Sequence, residues 1–203
     1  MSSPQATLVE LFPDRATDGA ARAFALSSLD PARGPVLWAQ DRLTGRETGS
    51  PYLPGLPRGL HLIRLDLPKP ADVLWAMEQA LCCHALGAVL GEIWGDAPIA
   101  DFTATKRLAL RAESQGLPCW LIRRATRPDL SAARERWHIR SAPSQPHPHD
   151  DHAPGAPVWH ATLFRARSRP PGAWQIGWAP GTGRQVIASP VTMPTAMDQA
   201  KTA

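Results

Sequence analysis

Between Pro70 and Gly95 the chain changes its hydrophobic period. Leu74, Met77, Leu81 and Ala85 recur at i, i+3, i+7 and i+11, the stripe of an amphipathic helix entered through Pro70 and Asp72. From Ala88 to Trp94 that spacing gives way to a short apolar run closed by Gly87 and Gly95, the pattern of a strand covered on both faces, as parallel strands are. A helix passing at once into a buried strand is half of an α/β unit. Glu92 interrupts the run near its carboxyl end. Open α/β sheets place ligands at such ends, but on spacing alone the expectation is that the strand simply reaches solvent there.

The remaining segments repeat this alternation. Thr7–Phe12, Val36–Ala39, His61–Leu65, Cys119–Ile122 and Trp137–Arg140 read as short strands, the third of them polar enough for an edge position. Helices are predicted over Ala20–Leu29 and over Phe102–Gln115, the latter with Asp101 as N-cap and Gly116 as C-cap. Asp41 begins a polar loop running through Gly45 and Gly49. Val158–Arg167 and Trp174–Trp178 form a C-terminal β-hairpin across Ser168–Gly172, with its Pro-Gly turn. These patterns give an α/β fold with a mostly parallel sheet flanked by helices. They place one domain over residues 1–178, a Pro/His-rich internal linker at 142–157, and a poorly ordered tail over 179–203.

Composition narrows the class. The chain has 203 residues, enough for one full core, and its 43% hydrophobic content is offset by 22 prolines. Its three cysteines form neither a disulfide framework nor metal-spaced pairs, and there is neither a signal core nor a membrane-length run. A reducing, cytoplasmic setting is therefore expected. The net charge of +4 conceals an asymmetry: residues 1–100 hold 8 Lys/Arg against 11 Asp/Glu, and residues 101–203 hold 14 against 7. A basic C-terminal half suits a polyanion or an acidic partner, or is a solvated arginine-rich face.

Strand, loop and helix at Thr7–Leu29 are the setting of a phosphate-binding loop, G-x-x-x-x-G-K-[ST], in which backbone N–H groups and a lysine hold phosphate and a hydroxyl holds magnesium. The eight corresponding positions are Asp14–Ala21. Asp14 stands for the first glycine, Gly19 is kept, and Ala20 and Ala21 stand where lysine and hydroxyl belong. Such a loop is degenerate, so no nucleotide or other cofactor is expected. Asp41 and Glu92 could be a relic of magnesium and water handling with nothing left to act on. No nucleophile–base constellation can be assembled, so no catalytic residue and no enzymatic activity is expected. His147, His149 and His152 beside Asp150 and Asp151 have metal-ligand chemistry, but a proline-broken segment fixes no geometry, and no metal is expected. The eight tryptophans suit core packing more than base stacking. Candidate contacts for nucleic acid or a partner protein are Lys106, Arg107 and Arg111 on one helix, and Arg165, Arg167 and Arg169, whose spacing by two points them to one face.

The order of these pieces resembles the RecA-like core, and more closely the ImuA family of damage-inducible mutagenesis proteins. The resemblance is carried by Val9–Phe12 leading into the defective loop, Val36–Trp38, Leu74–Leu81, Gly87–Gly95, Lys106–Glu113 and the hairpin Trp159–Trp178. It spans about residues 8–178, with 74–122 the most specific part. In RecA-like ATPases a strand ends in a metal-binding aspartate, and Glu92 looks like its counterpart; Asp41 falls near the acid that orients water. With the loop lysine and hydroxyl missing, neither role carries over. The resemblance implies a RecA-like fold with a degenerate P-loop. It also implies a non-catalytic accessory role in SOS-induced translesion synthesis, with a polymerase-like ImuB partner and an error-prone DNA polymerase. RecA and DNA are further candidate contacts, and no membrane is implied. The alternative is a SulA-type division inhibitor, similarly RecA-like but directed at FtsZ. The interval 142–157 and the W-x5-R-x-R-x2-PPG-x-W hairpin favour the ImuA reading. A regulator that caps RecA filaments by mimicking a protomer is a third reading.

Overall fold

A computed structural model describes residues 6–56, 58–179 and 184–190. Along the chain run β1 (Leu8–Pro13), α1 (Ala20–Ser27), β2 (Val36–Asp41), α2 (Arg42–Thr48), β3 (Leu62–Leu67), α3 (Pro70–Ala80), β4 (Ala88–Trp94), α4 (Phe102–Gln115) and β5 (Cys119–Arg124). Then follow β6 (Glu135–Ala142), β7 (Pro146–His147), β8 (Asp150–Pro154), β9 (Val158–Ala166), β10 (Gly172–Ala179) and β11 (Arg184–Pro190).

Among the described residues, nine of these strands form one sheet in the order β11-β10-β9-β6-β1-β5-β4-β2-β3. The six strands from β6 to β3 are parallel, and β9, β10 and β11 add to β6 as an antiparallel extension. β7 and β8 make a separate two-stranded ribbon. The fold is thus mixed α/β with a mostly parallel sheet flanked by helices, and β3 sits at the edge as its alternation predicted.

The two faces of the sheet are packed differently. On one, Leu8, Leu37, Val89 and Leu121 meet Val73, Leu74 and Met77 of α3 and Leu108, Ala109 and Ala112 of α4. On the other, the alanine-rich side of α1 lets Phe24 reach a layer containing Trp38, Trp120, Trp137 and Trp159. Phe24 lies 5.5 Å from Trp137 and 6.1 Å from Trp120, centroid to centroid. Four tryptophans are therefore core groups, whereas Trp75 on α3 is 65% exposed.

Several elements depart from the sequence expectation. α3 ends at Ala80, and Ala85 is exposed rather than part of the stripe. The chain turns after Leu81 through Cys82 N–H to Gln79 and Cys83 N–H to Ala80, and then passes Gly87 against the backbone of Gly34. A Cβ on Gly87 would lie 2.6 Å from the Gly34 carbonyl oxygen, so this crossing needs glycine. The polar stretch after Asp41 is α2, not a loop, because the Asp41 carboxylate accepts from the N–H groups of Leu43 and Thr44. The 142–157 interval is no open linker: it folds back as the β7–β8 ribbon, with His147 and His149 in T-shaped contact at 6.0 Å. Within the tail expected over 179–203, residues 184–190 pair with β10 as β11, while 180–183 and 191–203 lie outside the described residues. Among the described residues no helix is long and apolar enough to cross a membrane.

Gly91 in β4 lies directly under α3. A Cβ there would stand 2.0 Å from the Met77 sulfur and 3.1 Å from its Cγ, and Met77 is fully buried. Gly91→Ala is expected to lower unfolding free energy by about 1–3 kcal/mol through overpacking, as read from urea denaturation; an unchanged midpoint would show that Met77 moves aside freely.

Candidate functional site

The carboxyl ends of β2, β4 and β5 carry buried polar groups, Gln40 and Asp41, Glu92, and Arg123 and Arg124, and the end of β1 lies beside them. Here β1 leads toward β2 on one side, while β5 leads toward β6 on the other, the point at which open sheets form a crevice. The crevice is open, about 460 Å³, and lined by Pro13, Asp14, Ala16, Asp96, Ala125, Thr126 and Arg127. Ala125 holds φ +50°, an uncommon value for a residue with a Cβ. The Thr126 hydroxyl donates to Asp96 across the cleft.

Beneath this crevice, Glu92 does not reach solvent: it is fully buried. A buried carboxylate needs partners, and its oxygens receive four contacts. Arg22 Nη2 of α1 donates to Oε2 at 2.8 Å and Gln40 Nε2 of β2 to the same oxygen at 2.7 Å. Arg124 of β5 approaches Oε1 with Nε and Nη2, each at 2.7 Å. Register explains the meeting. Gln40 and Glu92 are paired across β2–β4, and Arg124 lies one strand further at the end of β5. Arg22 stacks its guanidinium 4.6 Å over Trp38 and donates to the Thr48 hydroxyl at 2.7 Å, which ties α1 to α2.

Arg124 also reaches the loop between β1 and α1. Its Nη1 donates to the carbonyls of Ala16 and Asp18, at 2.6 and 2.8 Å. The Asp18 carboxylate turns onto the start of α1, accepting from Ala20 N–H at 2.8 Å, and from the N–H and hydroxyl of Ser141 at 3.0 and 2.7 Å. Burial pushes the Asp18 carboxyl up, but these hydrogen bonds and nearby Arg124 outweigh it and hold it below the usual aspartate value. An internal anion thus stands at the helix N-terminus, where a phosphate loop would present its N–H groups to phosphate.

A second buried carboxylate sits on the opposite face. Glu10 of β1 accepts from Arg136 Nε at 2.7 Å, and Arg123 Nη1 lies 3.9 Å from its other oxygen. Burial pushes the Glu10 carboxyl up against the pull of Arg136 and Arg123. Arg123 also donates through both η nitrogens to Asp129, and Arg136 lies 5.2 Å from the Phe12 ring and 5.3 Å from Phe164. Asp41 is saturated too: besides capping α2, its Oδ2 accepts from the Thr44 hydroxyl at 2.7 Å and Trp94 N–H at 2.9 Å. Both oxygens of Glu92 and both oxygens of Asp41 thus accept from groups of the chain itself.

The cationic candidates separate in space. Arg107 and Arg111 of α4 both pair with Glu78 of α3, at 3.3 and 3.2 Å, while Lys106 is exposed. Arg165, Arg167 and Arg169 are exposed but do not share one face. Arg169 pairs with Glu135 at 2.8 Å and lies over Trp137, on the α1 side of the sheet. Arg167 instead acts on Glu113 of α4, and Arg165 sits opposite Arg136. The alternation that spacing by two assumes is broken by the bulge at Arg136/Trp137 and by the turn that follows β9. Sequence reading missed Arg22, Arg123, Arg124 and Arg136 as buried groups. Its only available signal was the adjacency of two arginines to an apolar strand.

No family model matches the chain. Protein ImuA of Caulobacter vibrioides, strain NA1000 / CB15N, is 33% identical to it over 172 residues, which is 77% of this chain and 67% of that protein. Protein ImuA of a second strain of the same species, ATCC 19089 / CIP 103742 / CB 15, matches with the same figures.

Removing the Glu92 charge leaves Arg22 and Arg124 facing each other in the interior without their carboxylate. Glu92→Gln is expected to cost about 3–5 kcal/mol of stability, measured by chemical denaturation. A loss under about 1 kcal/mol would mean that water or another acceptor replaces the carboxylate.

Proposed function

Because the chain belongs to the ImuA family, we propose that it is a non-catalytic accessory protein of damage-induced, error-prone translesion DNA synthesis. It acts with an ImuB-type, polymerase-related partner and an error-prone DNA polymerase, and its fold is a RecA-like core with a degenerate phosphate loop. The observation carrying this reading is the occupation of that loop. Asp18 accepts from the Ala20 N–H at the start of α1, Arg124 fastens the carbonyls of Ala16 and Asp18, and Ala20 and Ala21 supply neither cation nor hydroxyl. A RecA-like core closed in this way retains its surfaces, so function rests on association. Lys106, Arg165 and Arg167 are the cations we assign to such contacts, with a partner protein, RecA or DNA; Arg107, Arg111 and Arg169 act there only after exchanging Glu78 or Glu135 for the partner's acidic groups.

Two measurements test this. Displacement of a fluorescent ATP analogue, with magnesium, is expected to show binding no tighter than about 1 mM; micromolar binding would overturn the closed-loop reading. Deleting the gene is expected to lower ultraviolet-induced mutation frequency and leave cell length unchanged. Normal induced mutagenesis with altered filamentation would refute the assignment and favour a division inhibitor.

A further inference from the structure

β3 ends the sheet, and among the described residues no strand pairs with its outer side. The Val36 N–H donates to the His61 carbonyl, and Val36 is in register with Leu62. In a parallel ladder this turns the backbone groups of residues 63, 65 and 67 toward β2, and those of Leu62, Arg64 and Asp66 outward. The outer edge therefore presents three residues' N–H and C=O groups, with Pro68 closing the row. Ile63 on this edge strand is 45% exposed, although isoleucine is among the residues most often buried. Arg64 and Asp66 lie two apart on one face and pair at 2.6 Å, both partly open to solvent.

We propose that this edge binds a second copy of the same chain, joining two sheets antiparallel about a two-fold axis at Leu65. That register sets Arg64 opposite the mate's Asp66, Asp66 opposite its Arg64, Ile63 opposite its Leu67, and Leu65 opposite itself. Outward-facing backbone groups then meet outward-facing ones, giving four hydrogen bonds between Arg64 and Asp66 of the two copies. Neighbouring registers fail. Centring on Arg64 or on Asp66 puts like charges face to face, which destabilises a strand pair. A slip by one residue opposes outward groups to groups already spent on β2. Two opposite-charge pairs at one dyad are the signature of an isologous contact. This inference does not depend on the role proposed in mutagenesis.

The test is sedimentation velocity on the full chain at tens of micromolar, with its charge variants. Wild type is expected to dimerise. Arg64→Asp, which creates two like-charge pairs, is expected to weaken the dimer at least about tenfold. The double exchange Arg64→Asp, Asp66→Arg is expected to restore it, which a merely unfolded variant would not do. In a Cys82→Ser, Cys83→Ser background, Leu65→Cys is expected to form a disulfide with its own mate on oxidation. Opposed residues of a non-hydrogen-bonded pair lie about 4.5 Å apart at Cα, within disulfide reach. A monomeric wild type, a dimer indifferent to Arg64→Asp, or a dimer without the Leu65 cross-link would each overturn the proposal.

Discussion

A carboxylate fully out of water, held between two guanidinium groups, is the constraint on which this structure turns. Glu92 draws together α1 through Arg22, β2 through Gln40 and β5 through Arg124. Through the second reach of Arg124 it also fixes the loop between β1 and α1. A buried ion pair adds little to net stability over a well-packed apolar equivalent, because desolvation offsets attraction. What it does impose is geometry, since any displacement of one member strands another in a low-dielectric interior.

The same logic recurs across the sheet. Glu10 gathers Arg123 and Arg136, and Arg136 in turn packs against Phe12 and Phe164. Arg123 and Arg124, consecutive on β5, point to opposite faces and serve the two carboxylates separately. The central strand thus sends one guanidinium into each half of the core, above the leucine-rich layer on one side and the tryptophan-rich layer on the other. The carboxyl ends of the parallel strands, where such sheets place ligands, are occupied here by internal charge.

This arrangement bears on function through what it uses up. The Ala20 N–H at the start of α1 donates to Asp18, and Asp41 is consumed in starting α2 and receiving Trp94 N–H. The open crevice above them is shallow in chemistry, with Asp14, Asp96 and Arg127 as its charged lining. What stays exposed includes Lys106 on α4, Arg165 and Arg167 at the end of β9, and the outer edge of β3.

Hydrophobic period by itself determined the alternation of strands and helices, the edge position of β3 and the hairpin of β9 and β10, because each depends on residues close in sequence. That Ala20 and Ala21 offer neither a cation nor a hydroxyl was equally plain, since side-chain chemistry is read residue by residue. Only the tertiary structure decided the fate of Glu92, because Arg22 and Arg124 stand 70 and 32 residues away from it. Arg123 and Arg124 fell outside the predicted strand Cys119–Ile122, and strand pairing made them core. The helix after Asp41 was hidden by its glycine and polar residues, and formed because that carboxylate caps it in place. Arg165, Arg167 and Arg169 seemed aligned under an ideal period of two, which a bulge and a turn broke. Charges in this chain are placed by partners distant in sequence, and local pattern carries no record of them.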